Sequence, residues 1–170
     1  LTSPGVLKAI TVMGAEMGDQ CLIGAGSVTT PSQVDAVADA GAAFAVSPVT
    51  NEAMVSRCKD RNLPTMIGAY TPTEIQRAWD MGAAIVKLFP ARNLGPSYVK
   101  DVLAPLPHLQ IMPTGSINKD NAADYVRSGA VAVGVGGSLI DQQCVINGDW
   151  DTITRRAQSL VDAIVDLRTS

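Results

Sequence analysis

The segment AAIVKLFPA, residues 83–91, sets one lysine in the middle of an apolar run. An ammonium at Lys87, flanked by Ile85, Val86, Leu88 and Phe89, is costly to bury unless it is paired or gives up its proton. Desolvation favours the neutral amine. A neutral amine near pH 7 can attack a ketone, lose water and leave an imine that acts as an electron sink. On residue types alone a second reading stays open: a lysine at a rim, its stem packed on hydrocarbon and its head in water.

Two glycine-bearing turns could hold an anion. In VGVGGSL, residues 133–139, Gly136 and Gly137 follow an apolar run and could open a short helix, whose N–H groups, with the Ser138 hydroxyl, would cradle a phosphate. MPTGSI, residues 112–117, puts Thr114, Gly115 and Ser116 at the end of the preceding run. Tight packing alone would also explain either turn, but two of them on consecutive strand ends match the phosphate sites of barrel enzymes. Ser27 in IGAGSV offers a hydroxyl to a carboxylate, and Ser47-Pro48 in AVSP a rigid turn. Ordinary turn chemistry accounts for those two equally well.

The elements that must carry these residues repeat along the chain. A short apolar run, a break rich in Gly, Pro, Ser or Thr, and an amphipathic stretch recur six times. The apolar runs are 21–26, 42–48, 64–70, 83–91, 109–115 and 130–137; the helical stretches are 30–41, 50–62, 71–82, 95–106, 118–129 and 149–168, with an opening helix in 3–18. Thr30-Pro31 and Thr71-Pro72 read as N-caps followed by proline at the first helical position. Gly41, Gly82 and Gly129 stand where a helix C-cap wants glycine. Continuous apolar strands alternating with helices indicate parallel pairing covered on both faces.

The fold class is therefore α/β, either a (β/α) barrel or a doubly wound sheet. Gly24 and Gly26 lack the third glycine and the following acid of a dinucleotide fingerprint. Polar residues recur at the strand C-termini: Ser27, Ser47, Lys87, Thr114 and Ser138. These favour a barrel, whose chemistry gathers at that mouth, although the six units are two short of a full (β/α)8 barrel. Trp79 and Trp150 are expected to pack helices onto it.

Composition narrows the function classes. The 170 residues are 46% hydrophobic and 17% charged, a globular balance, and fit one domain over 1–170. The apolar stretches are too short and broken to cross a bilayer, and no signal-peptide pattern opens the chain. A formal charge of -3 with no basic stripe argues against nucleic acid. Cys21, Cys58 and Cys144 are widely spaced and read as reduced thiols; no metal cluster is in view. The single histidine, His108, lies in a loop-like PLPHLQ without the G-x-S-x-G elbow of a hydrolase. The expected compartment is the cytoplasm, with an organelle left open because a targeting peptide would precede Leu1.

LIGAGSV, FAVSP, VKLFPA, MPTGSI and VGVGGSL, in this order and spacing, resemble the class I 2-dehydro-3-deoxy-phosphogluconate (KDPG) aldolases and the related 2-dehydro-3-deoxy-6-phosphogalactonate (KDPGal) aldolases. The resemblance implies a (β/α)8 TIM barrel, usually a homotrimer, that needs no cofactor or metal. It puts Lys87 on the Schiff-base lysine and Ser27 on a hydroxyl that helps hold the pyruvate carboxylate. Pro48 and Phe89 fall on pocket-lining positions, and Thr114 on one tied to stereochemical choice. Gly115, Ser116, Gly136, Gly137 and Ser138 fall on the phosphate cradle. The implied reaction is retro-aldol cleavage of a phosphorylated 2-keto-3-deoxy sugar acid to pyruvate and glyceraldehyde 3-phosphate.

Several departures bear on that reading. Ser116 stands where a second glycine is common, and Gly68-Ala69-Tyr70 replaces a Pro-Gly turn, adding a phenol near the mouth. The family's general-base glutamate falls three residues before the position matched by Leu1, and Thr2 replaces an arginine of gluconate-type members. The expectation is a barrel domain that continues upstream of Leu1, its first two strands included. LTSP and GPSYVK look closer to the galactonate branch, PTG to the gluconate one. Two other functions stay open beside the aldolases: an isomerase or epimerase using Lys87 as an acid, and a non-catalytic subunit that binds sugar phosphate. Arg92 could meet an anionic substrate or a neighbouring subunit.

Overall fold

Both Thr-Pro pairs start helices by the same two-way exchange. Thr30 Oγ1 accepts from the Gln33 N–H at 3.3 Å, while Gln33 Oε1 accepts from the N–H groups of Thr30 at 3.3 Å and Thr29 at 2.8 Å. Thr71 Oγ1 likewise accepts from the Glu74 N–H at 3.3 Å, and Glu74 returns a carboxylate oxygen to the N–H groups of Thr71 and Tyr70. Each capping box satisfies donors that the helix itself leaves orphaned. The three anticipated C-cap glycines all take the left-handed conformation, φ 88 at Gly41, 89 at Gly82 and 101 at Gly129.

The computed structural model describes residues 1–165. The chain divides into two compact units, Leu1–Lys87 and a second that begins at Leu88. The first carries α1 (Val6–Met17), α2 (Pro31–Asp39), β1 (Ala45–Val46), α3 (Glu52–Asp60), β2 (Thr65–Ala69), α4 (Pro72–Asp80) and most of β3 (Ile85–Leu88). The second carries a 3-10 turn at Ala91–Asn93, α5 (Gly95–Leu103), β4 (Ile111–Pro113), α6 (Ala122–Arg127), α7 (Gln142–Asn147) and α8 (Trp150–Val165).

Pairing in the first unit is parallel, with Ala45 opposite Thr65 and Val46 opposite Met66. The Ala84 N–H donates to the Thr65 carbonyl at 2.9 Å and brings β3 beside β2. In the second unit, Leu88 at the end of β3 accepts from the Thr114 N–H at 3.0 Å, just past β4. The strands thus follow one another in chain order, as helix-connected parallel strands do.

The two outermost apolar runs do not become full strands. The run 21–26 makes one bridge, Ala25 to Ala45, and the run 130–137 makes one, Gly134 to Thr114. Each has a neighbour on one side only among the described residues, and each carries glycines that packing requires. A β-carbon on Gly24 would lie 2.3 Å from the Phe44 ring. The helical stretch 118–129 shrinks to α6 because Asn118 and Asn121 form a turn, with Asn121 Oδ1 accepting from the Asn118 N–H at 2.9 Å. Helix α7 falls in a segment assigned to no element; Asp141 starts it by accepting from the Cys144 N–H at 2.8 Å. The closing helix begins at Trp150, and the expected residues 166–168 lie outside the described residues.

In the first unit the core is built from Val34 and Val37 of α2, Met54 and Cys58 of α3, Ile67 of β2, Ile75 and Ala78 of α4 and Val86 of β3, all fully buried. Within each helix these residues recur at three- or four-residue spacing, which puts them on one face. Leu88, Ile111, Val99, Ile117 and Ala122 fill the core of the second unit. Trp79 is half-buried, whereas Trp150 is 60% exposed. It sits at the first turn of α8, a helix with no buried residue, and most of its surface faces outward. Among the described residues no helix is long and apolar enough to cross a membrane.

Candidate active site

The parallel register sorts the polar residues to one end of the first unit's strands. Ser27 lies two residues beyond the Ala25 bridge and Ser47 two beyond its partner Ala45. Lys87 is three residues past the Ala84 contact to β2. All three therefore leave the sheet at its C-terminal edge, where parallel α/β folds place their chemistry.

Lys87 is half-buried between Val86 and Leu88, both of which are fully buried. Burial pushes its ammonium below the ordinary lysine value of 10.5, because desolvation penalises the charged form. This is the direction that a nucleophilic amine needs. Ser47 is fully buried, and its hydroxyl donates to the Val49 carbonyl at 2.7 Å, which fixes the turn through half-buried Pro48. Gly68 lies directly beneath: a β-carbon there would come within 2.1 Å of the Pro48 carbonyl carbon. That contact leaves room for glycine alone at this position. Tyr70, one of the departures, stands 38% exposed just past β2. Ser27 is exposed, with its backbone at φ 60.

The second unit gathers the anticipated anion residues around a cavity of about 440 Å³. Thr114, Gly115, Ser116, Gly136, Gly137 and Ser138 line it, together with Arg92, Ile117 and Asn118. The N–H groups of Gly136, Gly137 and Ser138 donate to no backbone carbonyl among the described residues, whereas the Gly136 carbonyl accepts from Leu139 at 2.8 Å and Ile140 at 3.0 Å and closes the turn. The Ser138 hydroxyl instead donates to the Ile117 carbonyl at 2.5 Å. Thr114 Oγ1 is buried with no hydrogen-bond partner among the described residues, and such a group calls for an explanation in a native structure. Phe89 is half-buried and precedes Pro90 through a cis peptide bond.

Sequence reasoning left Arg92 undecided, and the structure puts it in this cavity. Its Nε donates to Ser116 Oγ at 2.8 Å. Ser116 holds φ 60, a conformation that costs an L-residue roughly 1–2 kcal/mol more than the right-handed one. A glycine would relieve that cost but supply no hydroxyl. The order R-N-L-G after the lysine strand was the available signal; its pairing with a residue 24 positions on was not readable from spacing. A neighbouring cavity of about 530 Å³ between the 118–120 turn and α8 contains Lys119 and Arg156, each already paired, with Asp120 and Asp141. Among the described residues no cluster of His, Cys, Asp or Glu could hold a metal ion.

A model of the family described as Aldolase: KDPG and KHG aldolase matches residues 1–156. The chain belongs to this family. The 2-dehydro-3-deoxy-phosphogluconate aldolase of Haemophilus influenzae is 35% identical over 163 residues, which are 95% of this chain and 76% of the relative. A probable 2-dehydro-3-deoxy-6-phosphogalactonate aldolase of Rhizobium meliloti is 39% identical over 140 residues, 82% of this chain and 66% of the relative. Among solved structures, the native KDPGal structure superposes with a TM-score of 0.90 at 29% identity, covering 99% of this chain and 80% of that one. The KDPG aldolase of Legionella pneumophila, with pyruvate captured as a covalent carbinolamine intermediate, gives 0.85 at 30% identity over 94% and 78%. The α/β fold with its parallel sheet is that of these barrel-like aldolases.

Proposed function

We propose that this protein is a Schiff-base aldolase that cleaves 2-dehydro-3-deoxy-6-phosphogluconate to pyruvate and glyceraldehyde 3-phosphate. The observation that carries the reading is Lys87: a half-buried amine at the C-terminal end of a parallel strand, with its charged form disfavoured. The neutral amine adds to the C2 ketone, giving a carbinolamine, and loss of water leaves the iminium. The C3–C4 bond then breaks. Its electron pair moves into the iminium to give an enamine, and the C4 hydroxyl proton passes to a base as the aldehyde forms. Protonation at C3 and addition of water release pyruvate and restore the amine. In the family resemblance that base is a glutamate.

In this reading Ser27 orients the pyruvate carboxylate, Pro48 and Phe89 wall the pocket, and Thr114 faces the carbon whose configuration is read. Gly115, Ser116, Gly136, Gly137 and Ser138 hold the phosphate. By the same resemblance the working form is a cytoplasmic homotrimer without metal. The galactonate epimer is the second candidate substrate, because the Rhizobium meliloti relative is named for it and is 39% identical. Release of pyruvate from each purified epimer, followed by a lactate dehydrogenase couple, tests the proposal. Turnover of the gluconate epimer is expected to exceed that of the galactonate one. Turnover of neither leaves the non-catalytic reading.

A further inference from the structure

Among the described residues, the cavity lined by Thr114, Gly115, Ser116, Gly136 and Gly137 contains one charged side chain, Arg92. Every other group it offers is a neutral hydroxyl, amide or hydrocarbon. Arg92 makes no ion pair among the described residues. Its single hydrogen bond there is the 2.8 Å contact from Nε to Ser116 Oγ, which leaves the Nη groups for a ligand. The residue before it, Ala91, is held through both its N–H and its carbonyl. The Ala91 N–H donates to the Thr114 carbonyl at 2.9 Å, and the buried Tyr125 hydroxyl donates to the Ala91 carbonyl at 3.3 Å.

We propose that Arg92, steered by Ser116, selects phosphorylated substrates by giving this otherwise neutral cradle the charge that a phosphate dianion requires. The inference rests on the aldolase reading and deepens it. Backbone N–H groups would bind any small anion, whereas a guanidinium with two Nη groups free favours an oxyanion able to accept two parallel bonds. Ser116 occupies the Nε, fixes the plane of the fork, and explains why a serine is kept in a backbone conformation that suits glycine. Arg92 touches the phosphate and not the reacting carbons, so its effect belongs in binding.

The test compares 2-dehydro-3-deoxy-6-phosphogluconate with its unphosphorylated analogue in the wild type, Arg92→Lys and Arg92→Ala. The expected result is a fall of about 10- to 100-fold in kcat/KM for the phosphorylated acid, seen mostly in KM, as removal of a charged hydrogen bond gives. The preference for the phosphorylated acid over the analogue should fall by the same factor, with lysine restoring part of it. Ser116→Gly should reproduce a smaller loss of the same kind. An unchanged preference, or an equal loss on both substrates, overturns the proposal. Inorganic phosphate titrated calorimetrically into the same proteins reads the contact without turnover. If the wild type cleaves neither acid, the aldolase reading fails on its own; weaker phosphate binding by Arg92→Ala still upholds the role of Arg92, and equal binding overturns it.

Discussion

A β-carbon placed on Gly134 would lie 2.2 Å from Thr114 Oγ1 and 3.1 Å from Thr114 Cβ. The two residues form the single bridge between the ends of their strands, and the space between them belongs to the threonine. Gly134→Ala must therefore displace a β-branched side chain that has few alternative rotamers. We expect it to lower stability by about 1–3 kcal/mol in urea denaturation. Replacing the partner has the opposite character. Thr114→Val removes a buried hydroxyl that has no partner among the described residues, so stability should hold or rise by up to about 1 kcal/mol, while the preference between the gluconate and galactonate epimers shifts. A clear loss of stability would mean that the hydroxyl has a partner.

Gly68 sets a second steric limit. A β-carbon there would sit 2.1 Å from the Pro48 carbonyl carbon and 2.7 Å from the Val49 nitrogen, and backbone cannot step aside as a side-chain tip can. Gly68→Ala should cost at least about 2 kcal/mol and raise KM by shifting Pro48. Thermal unfolding and steady-state kinetics on one sample check both effects. Unaltered values for both would show that the Ser47-Pro48 turn is not fixed by this contact.

Lys87 links pH to stability. Its pKa in the folded chain lies below the ordinary 10.5, so between these values the unfolded chain binds a proton that the folded chain has released. Stability from this group rises with pH through that window, and below the folded pKa the full penalty applies. Lys87→Met should thus be more stable than the wild type at pH 7, with the gap narrowing as pH approaches 10. Denaturant midpoints at both pH values measure it, and a gap that widens with pH would contradict the burial argument.

Asp141 works in the opposite sense. The Cys144 N–H and the Arg156 guanidinium at 2.7 Å hold its carboxyl down at about 2, against an ordinary 3.8. Its contribution is present above pH 3.8 and fades as pH falls toward 2. Asp141→Asn keeps a cap for α7 but loses the ion pair. It should melt below the wild type at pH 7 and approach it near pH 2.

Much of this was legible in the chain itself. Helices α2 and α4 were readable because Thr-Pro at the start and glycine past the end are local signals, set by caps and φ rather than by distant contacts. Lys87 and the glycine turns stood out because a charge among hydrocarbon and paired glycines are rare patterns with physical consequences. The outer runs 21–26 and 130–137 misled because apolar composition records burial, whereas a strand needs a partner along its length. Helix α7 was missed because QQCVIN is too short for a period to show, and its one strong signal is the Asp141 cap. The Arg92–Ser116 contact joins residues 24 positions apart and depends on the bend of two turns, which spacing does not encode. Trp150 was misplaced because size and hydrophobicity name a core residue only where a neighbouring element covers it.

The most direct measurement is chemical trapping. Pyruvate and sodium borohydride are added to the purified protein at neutral pH, and the tryptic peptides are read by mass spectrometry. A reduced pyruvate adduct is expected on the peptide containing Lys87, and none on Lys87→Ala. Adduct at another lysine, or the same labelling of Lys87→Ala, would contradict this expectation.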